Sequence, residues 1–184
     1  MKKEIIIAGF GGQGVLSMGK ILAYAGLLQG KEVTWMPAYG PEQRGGTANV
    51  TVILSDDRIS SPILQQFDIA IVLNQPSMDK FEPRVKPGGV LIYDPNGMTR
   101  EPARKDITIY KVTATETAIA MNAQKTFNMI ILGGLLHIAP VVDMEYVMLG
   151  LKKSLPERHH HLLAANEMAM KQGANIIEKI KKKK

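Results

Sequence analysis

The sequence predicts one α/β domain on a mostly parallel, Rossmann-like sheet. Three observations carry this: short apolar runs alternate with helical patterns, a glycine-rich turn joins the first strand to the first helix, and helices close the chain. A length of 184 residues, 45 % apolar and 22 % charged, suits one hydrophobic core. The domain is read as residues 1–178, with 179–184 a lysine-rich tail.

Glu4 to Ala8 is a β-branched apolar run ending at glycine, the pattern of a buried strand. Val15 to Leu28 carries apolar residues at 15, 18, 22, 25 and 28, which is helical spacing, and Gly30 supplies a stop. Glu32 to Met36 reads as a second strand, and Thr47 to Leu54, rich in β-branched residues, as a third. Only about ten loop-like residues separate these two, where a parallel crossover needs a dozen or more. Thr47 to Leu54 is therefore expected to run antiparallel to its neighbours. Asp68 to Leu73 and Gly89 to Asp94 are two more buried strands, with a short helix and a Pro-Gly turn between them; Ile107 to Val112 alternates as a sixth. From Thr115 the pattern is helical: Glu116 to Gln124, Asn128 to Ile138, Met144 to Lys153 and, after Pro156, a long helix to about Ile180. The last places Leu162, Ala165, Ala169, Gly173, Ile176 and Ile180 on one face.

Composition narrows the chemistry. The chain has no cysteine, which excludes disulfides, a thiol nucleophile and cysteine-held clusters within it. The net charge is +6, but Lys179 and Lys181 to Lys184 account for five of it. A nearly neutral body without a basic stripe argues against nucleic acid, and the tail reads as a solvated helix end. Glu4 and the shortness of the first apolar run argue against a signal peptide. The longest uncharged run, Thr126 to Val142, falls short of the roughly 20 apolar residues that span a bilayer. A soluble, cytoplasmic chain is expected.

Gly9, Gly11 and Gly14 fit the spacing of a dinucleotide turn, with Gly12 and Gln13 between them. Such glycines permit a tight turn and close backbone approach, with a helix start facing an anion. The acidic residue that would grip a ribose at the end of the second strand is missing, because that strand ends "TWMPAYG". A nicotinamide or flavin dinucleotide is therefore disfavoured, while a turn packed on protein backbone accounts for the glycines as well as anion binding does. The run "YGPEQRGG" follows the second strand and so belongs to the same sheet edge, bringing Tyr39, Arg44, Gly45 and Gly46 to the turn. Arg44 suits a carboxylate or phosphate, or pairs with Glu42. Asn74 and Gln75, and Asp94 and Asn96, follow buried strands at that edge, where they serve as caps or turn residues or add polarity. His159, His160 and His161 are consecutive and would splay around a helix rather than meet at a metal; His137 reads as a core residue on an apolar helix. No nucleophile or carboxylate pair stands out.

Taken in order, "GFGGQGV", "YGPEQRGGTANV", "DIAIVLNQPS" and "KPGGVLIYD" resemble the gamma subunit of 2-oxoacid:ferredoxin oxidoreductases over roughly the whole chain. "VTWMPAYGPEQRGGTAN" is most similar to the 2-oxoglutarate members, with the 2-oxoisovalerate and indolepyruvate members as close relatives. The resemblance implies oxidative decarboxylation of a 2-oxoacid to an acyl-CoA with reduction of ferredoxin. Thiamine diphosphate with Mg and the iron–sulfur clusters would belong to partners: thiamine-binding alpha and beta subunits and a ferredoxin-like subunit. This chain would hold no cofactor or metal alone and no catalytic residue, and it would be inactive in isolation. Coenzyme A (CoA), the cosubstrate, would meet Gly9, Gly11, Gly12, Gln13, Gly14, Tyr39, Arg44, Gly45, Gly46 and Asn74. The face that packs on partners would also be available for self-association. The alternatives are a subunit of a 2-oxoisovalerate or indolepyruvate:ferredoxin oxidoreductase, or a free-standing dinucleotide-binding oxidoreductase.

Overall fold

The computed structural model describes residues 1–39 and 47–180, residue 39 by its backbone alone. The strands are β1 (Lys2–Phe10), β2 (Glu32–Tyr39), β3 (Thr47–Ser55), β4 (Phe67–Val72), β5 (Val85–Tyr93), β6 (Thr108–Lys111) and β7 (Glu178–Lys179). The helices are α1 (Val15–Leu28), α2 (Gln75–Phe81), α3 (Ala114–Ala120), α4 (Phe127–Ile138), α5 (Met144–Ser154) and α6 (Leu163–Ile176). One sheet runs β2-β3-β1-β4-β5-β6-β7. β1, β4, β5 and β6 pair in parallel. β3 runs antiparallel to both β1 and β2, as the short connection requires.

Three expected elements end differently. The second strand extends to Tyr39, because its ladder with β3 continues through Pro37↔Val50 to Tyr39↔Ala48. The helix expected over 116–124 is α3, closed by Asn122 at φ 51, a left-handed conformation that asparagine tolerates better than most residues. The long helix expected after Pro156 is a 3-10 turn, Glu157–Leu162, followed by α6; beyond it Ile177 is extended and β7 takes the open edge of β6. There the Ile180 amide donates to the Ile109 carbonyl at 2.9 Å, so Ile180 belongs to the sheet and not to a helix face. Leu162, Ala165 and Leu28 are exposed rather than buried, and α6 is sealed by Ala169, Met170 and Gly173. His137 is exposed, not a core residue. His160 Nε2 lies 3.1 Å from the Lys152 and Leu155 carbonyls, at the end of α5.

The central strands are buried on both faces, so their sequences are continuously apolar. In β1, Ile5 and Ile7 face the larger core beneath α1 and α3–α6, while Ile6 and Ala8 face the smaller core beneath α2. The α4–α6 crossing is so close that a β-carbon at Gly173 would lie 1.8 Å from the Ile130 carbonyl oxygen, and one at Gly133 2.0 Å from that of Met170. The amino edge of the sheet is held by charge. Lys86 Nζ reaches Glu4 Oε2 at 2.5 Å and Asp68 Oδ1 at 2.7 Å, and Asp68 Oδ2 accepts the Glu4 amide at 2.8 Å. Burial pushes the Glu4 carboxyl up, but the hydrogen bonds from Lys2 and Lys86 outweigh it and hold the group below its ordinary 4.5. No helix among the described residues is long and apolar enough to cross a membrane.

Two outcomes are expected. Gly173→Ala should lower stability by about 2–3 kcal/mol, because backbone must move apart, and the measure is the thermal midpoint by circular dichroism. Glu4 has a depressed folded-state pKa, so its contribution is full above pH 4.5 and is lost as pH falls through the folded value. Glu4→Gln should flatten that acid limb in denaturant titrations, and an unchanged limb would show that the cluster is not coupled to folding.

Candidate functional site

The carboxyl ends of β1, β4 and β5 form the edge at which ligands collect in open α/β sheets. Phe10 ends β1, and the chain turns through Gly11–Gly14 into α1. Gly12 has φ 97 and Gly14 φ 74, both in the left-handed region that favours glycine. The side chain of Gln13 holds this turn. Its Oε1 accepts the Phe10 amide at 2.6 Å, and its Nε2 donates to the Leu73 carbonyl at the end of β4 at 3.1 Å. A β-carbon on Gly9 would lie 2.5 Å from that same Oε1, and one on Gly14 would meet the Asn128 side chain at 2.5–2.8 Å. At Gly12 it would meet nothing within 4 Å. Gly9 and Gly14 therefore serve protein packing, while Gly11 and Gly12 face outward. α1 starts without a side-chain cap.

Asn74 stands beside this turn, after β4. Its Oδ1 caps α2 by accepting the Ser77 amide at 2.8 Å, and its Nδ2 is buried without a hydrogen-bond partner. Gln75 Oε1 accepts the Thr99 and Arg100 amides, which ties the 95–107 loop to α2. Asp94 Oδ2 accepts the Thr115 amide at 2.9 Å and its hydroxyl at 2.6 Å, and Asp94 Oδ1 accepts the Asn96 amide at 3.0 Å. Burial raises the Asp94 carboxyl above its ordinary range, against the pull of those bonds. Asp94 thus holds the start of α3.

β2 ends at Tyr39 and β3 begins at Thr47, which pairs with Phe10, so both strand ends lie at this edge. Arg44, Gly45 and Gly46 lie outside the described residues, as does the side chain of Tyr39. The turn borders a groove of about 270 Å³ lined by Gly12, Gln13, Thr115, Ala118, Ile119, Gln124 and Phe127. Ile119, 59 % exposed, is its apolar wall. Sequence reasoning missed this wall, although an apolar residue on the outer side of a short polar helix was its signal. Among the described residues no three His, Cys, Asp or Glu side chains are placed to hold a metal. The arrangement offers outward backbone, neutral side chains and an apolar wall, which suits a ligand laid against the turn more than acid–base chemistry.

Comparison with known proteins identifies the family. Residues 4–176 match the family model described as pyruvate ferredoxin/flavodoxin oxidoreductase. The chain is 34 % identical over 160 residues to the 2-oxoglutarate synthase subunit KorC of Methanocaldococcus jannaschii, covering 85 % of this chain and 86 % of that one. It is 52 % identical over 91 residues to the ketoisovalerate oxidoreductase subunit VorA of Methanothermobacter thermautotrophicus, which covers half of this chain and only 19 % of VorA. Among solved structures it resembles the keto/oxoacid ferredoxin oxidoreductase gamma subunit of Geobacter sulfurreducens, with 27 % identity, a TM-score of 0.82 and 96 % of each chain covered. It also resembles the 2-oxoglutarate:ferredoxin oxidoreductase of Magnetococcus marinus, solved with 2-oxoglutarate, coenzyme A and succinyl-CoA bound. There the identity is 26 % and the TM-score 0.86, covering 97 % of this chain and 32 % of that one.

Gln13→Ala should destabilise the fold by about 1–2 kcal/mol through two lost hydrogen bonds, and should raise amide exchange at residues 10–14. Protection unchanged at those amides would show that the turn is fixed by its glycines alone.

Proposed function

The chain belongs to the pyruvate ferredoxin/flavodoxin oxidoreductase family, and from that premise we propose that it is the gamma subunit of a 2-oxoacid:ferredoxin oxidoreductase, with 2-oxoglutarate as the substrate acid. The observation that carries this reading is the match to KorC at nearly full length on both sides. The VorA likeness favours ketoisovalerate as a second reading, over 91 residues. The oxidative decarboxylation would run on thiamine diphosphate with Mg, and on iron–sulfur clusters, in alpha, beta and ferredoxin-like partner subunits, with ferredoxin as acceptor. The absence of cysteine from this chain is consistent with clusters held elsewhere.

The role proposed for this chain is to present its carboxyl edge to the partners and to receive CoA there. The residues fit such a ligand: Gly12 leaves open space where a side chain would stand, and Ile119 offers an apolar wall beside it. When bound, CoA supplies the thiol that accepts the acyl group. Outward backbone at Gly11 and Gly12, and the Arg44 guanidinium, would take its phosphates. Gln13 would keep the turn in register with β4, and Asn74 would anchor α2 beside it.

Reconstitution tests the reading. The purified chain alone should turn over no 2-oxoacid, and the assembled complex should show a higher kcat/KM for 2-oxoglutarate than for 2-oxoisovalerate. Arg44→Ala should raise KM for CoA at least tenfold, the loss expected for a charge-assisted hydrogen bond. Activity from the lone chain would overturn the subunit role, and an unchanged KM would remove Arg44 from the CoA contact.

A further inference from the structure

A second groove, of about 310 Å³, opens where α1, α4, the end of α5 and the start of α6 meet. It shares no lining residue with the groove at the glycine turn. Its floor is apolar, with Ile21 and Leu151 almost fully buried. Its polar side chains include Ser17, Lys20, Lys125 and Asn128, and no carboxylate lines it. Elsewhere in the fold Lys2, Lys31, Lys86, Lys111 and Lys171 each pair with a carboxylate, while Lys3, Lys80, Lys152 and Lys153 do not among the described residues; what sets Lys20 and Lys125 apart is that both line one groove with no carboxylate in it. Lys20 and Lys125 have no ion pair among the described residues, and Lys20 meets only the face of Tyr24, at 5.7 Å.

Two uncompensated cations above an apolar floor match an organic dianion with a flat or apolar body. The ammonium is a point charge without the planar fork that suits a carboxylate, and a phosphomonoester carries close to two negative charges at neutral pH. The volume lies at the lower end of small-molecule sites. We propose that this groove binds the phosphomonoester of a nucleotide, with the phosphate between Lys20 and Lys125 and the base on the apolar floor. Ser17 and Asn128 supply hydrogen bonds. The nucleotide is either the adenosine end of CoA or a separate mononucleotide; only the first source rests on the reading of the glycine turn given above.

The test is calorimetric titration of the full chain with adenosine 3′,5′-bisphosphate, which carries a phosphomonoester and no thiol. Saturable one-to-one binding is expected, weakened at least tenfold in Lys20→Ala/Lys125→Ala and retained in Lys3→Ala, which removes a lysine remote from the groove. Added CoA distinguishes the sources: competition identifies the cosubstrate's own nucleotide, and undiminished binding identifies a separate one. No saturable binding to the unmutated chain, or equal affinity in the double variant with its thermal midpoint unchanged, overturns the proposal. Neither result bears on Arg44 or the KM for CoA, so the turn reading stands or falls separately.

Discussion

The amide of Gln13 joins the first βα turn to the middle of the sheet, and the geometry of the carboxyl edge follows from that join. β4 lies in parallel register beside β1, and the Leu73 amide donates to the Ala8 carbonyl at 2.9 Å, so the end of β4 is a fixed point. Gln13 ties the turn to that point from one side and to the Phe10 amide from the other. With the amide in place Gly9 has no room for a side chain, and Gly14, left-handed, lies beneath Asn128. The turn is then shaped before any ligand arrives, which lowers the ordering cost of binding.

Carboxylates are distributed unevenly between structure and surface. Glu4 and Asp68 are engaged with Lys86 at the amino edge. Glu82, 2 % exposed, accepts the Ala103 and Arg104 amides and the Arg100 guanidinium, and so pins the 95–107 loop to the end of α2. Asp94 is buried against Thr115. Each of these groups satisfies backbone or lysine. Among the described residues the turn groove is left with neutral polar and apolar side chains, an environment that repels no anion.

The parallel core was legible because its strands are continuously apolar, and the reversed third strand because ten residues cannot cross over. The chain's end was not legible. Helical periodicity continued through Ile176 and Ile180, and only the open edge of β6, a tertiary feature, draws residues 178–180 into the sheet. The glycine spacing located the turn but could not apportion roles within it. Which glycine packs and which faces out depends on Gln13 and on Asn128, the latter more than a hundred residues away along the chain. Asn74 was readable as a cap because asparagine after a buried strand so often serves as one. The apolar wall at Ile119 needed the fold, since α3 reaches the turn only through the β6 connection.

β2 is the outermost strand on its side, eight residues long, with Trp35 and Met36 each 40 % exposed. Such a rim ordinarily templates further strands and leads to fibrous clumping. Proline is tolerated in edge strands, and Pro37, opposite Val50, lies in a strand with no further neighbour among the described residues. An incoming strand would find no backbone donor at Pro37. The chain thereby carries its own brake on runaway sheet growth.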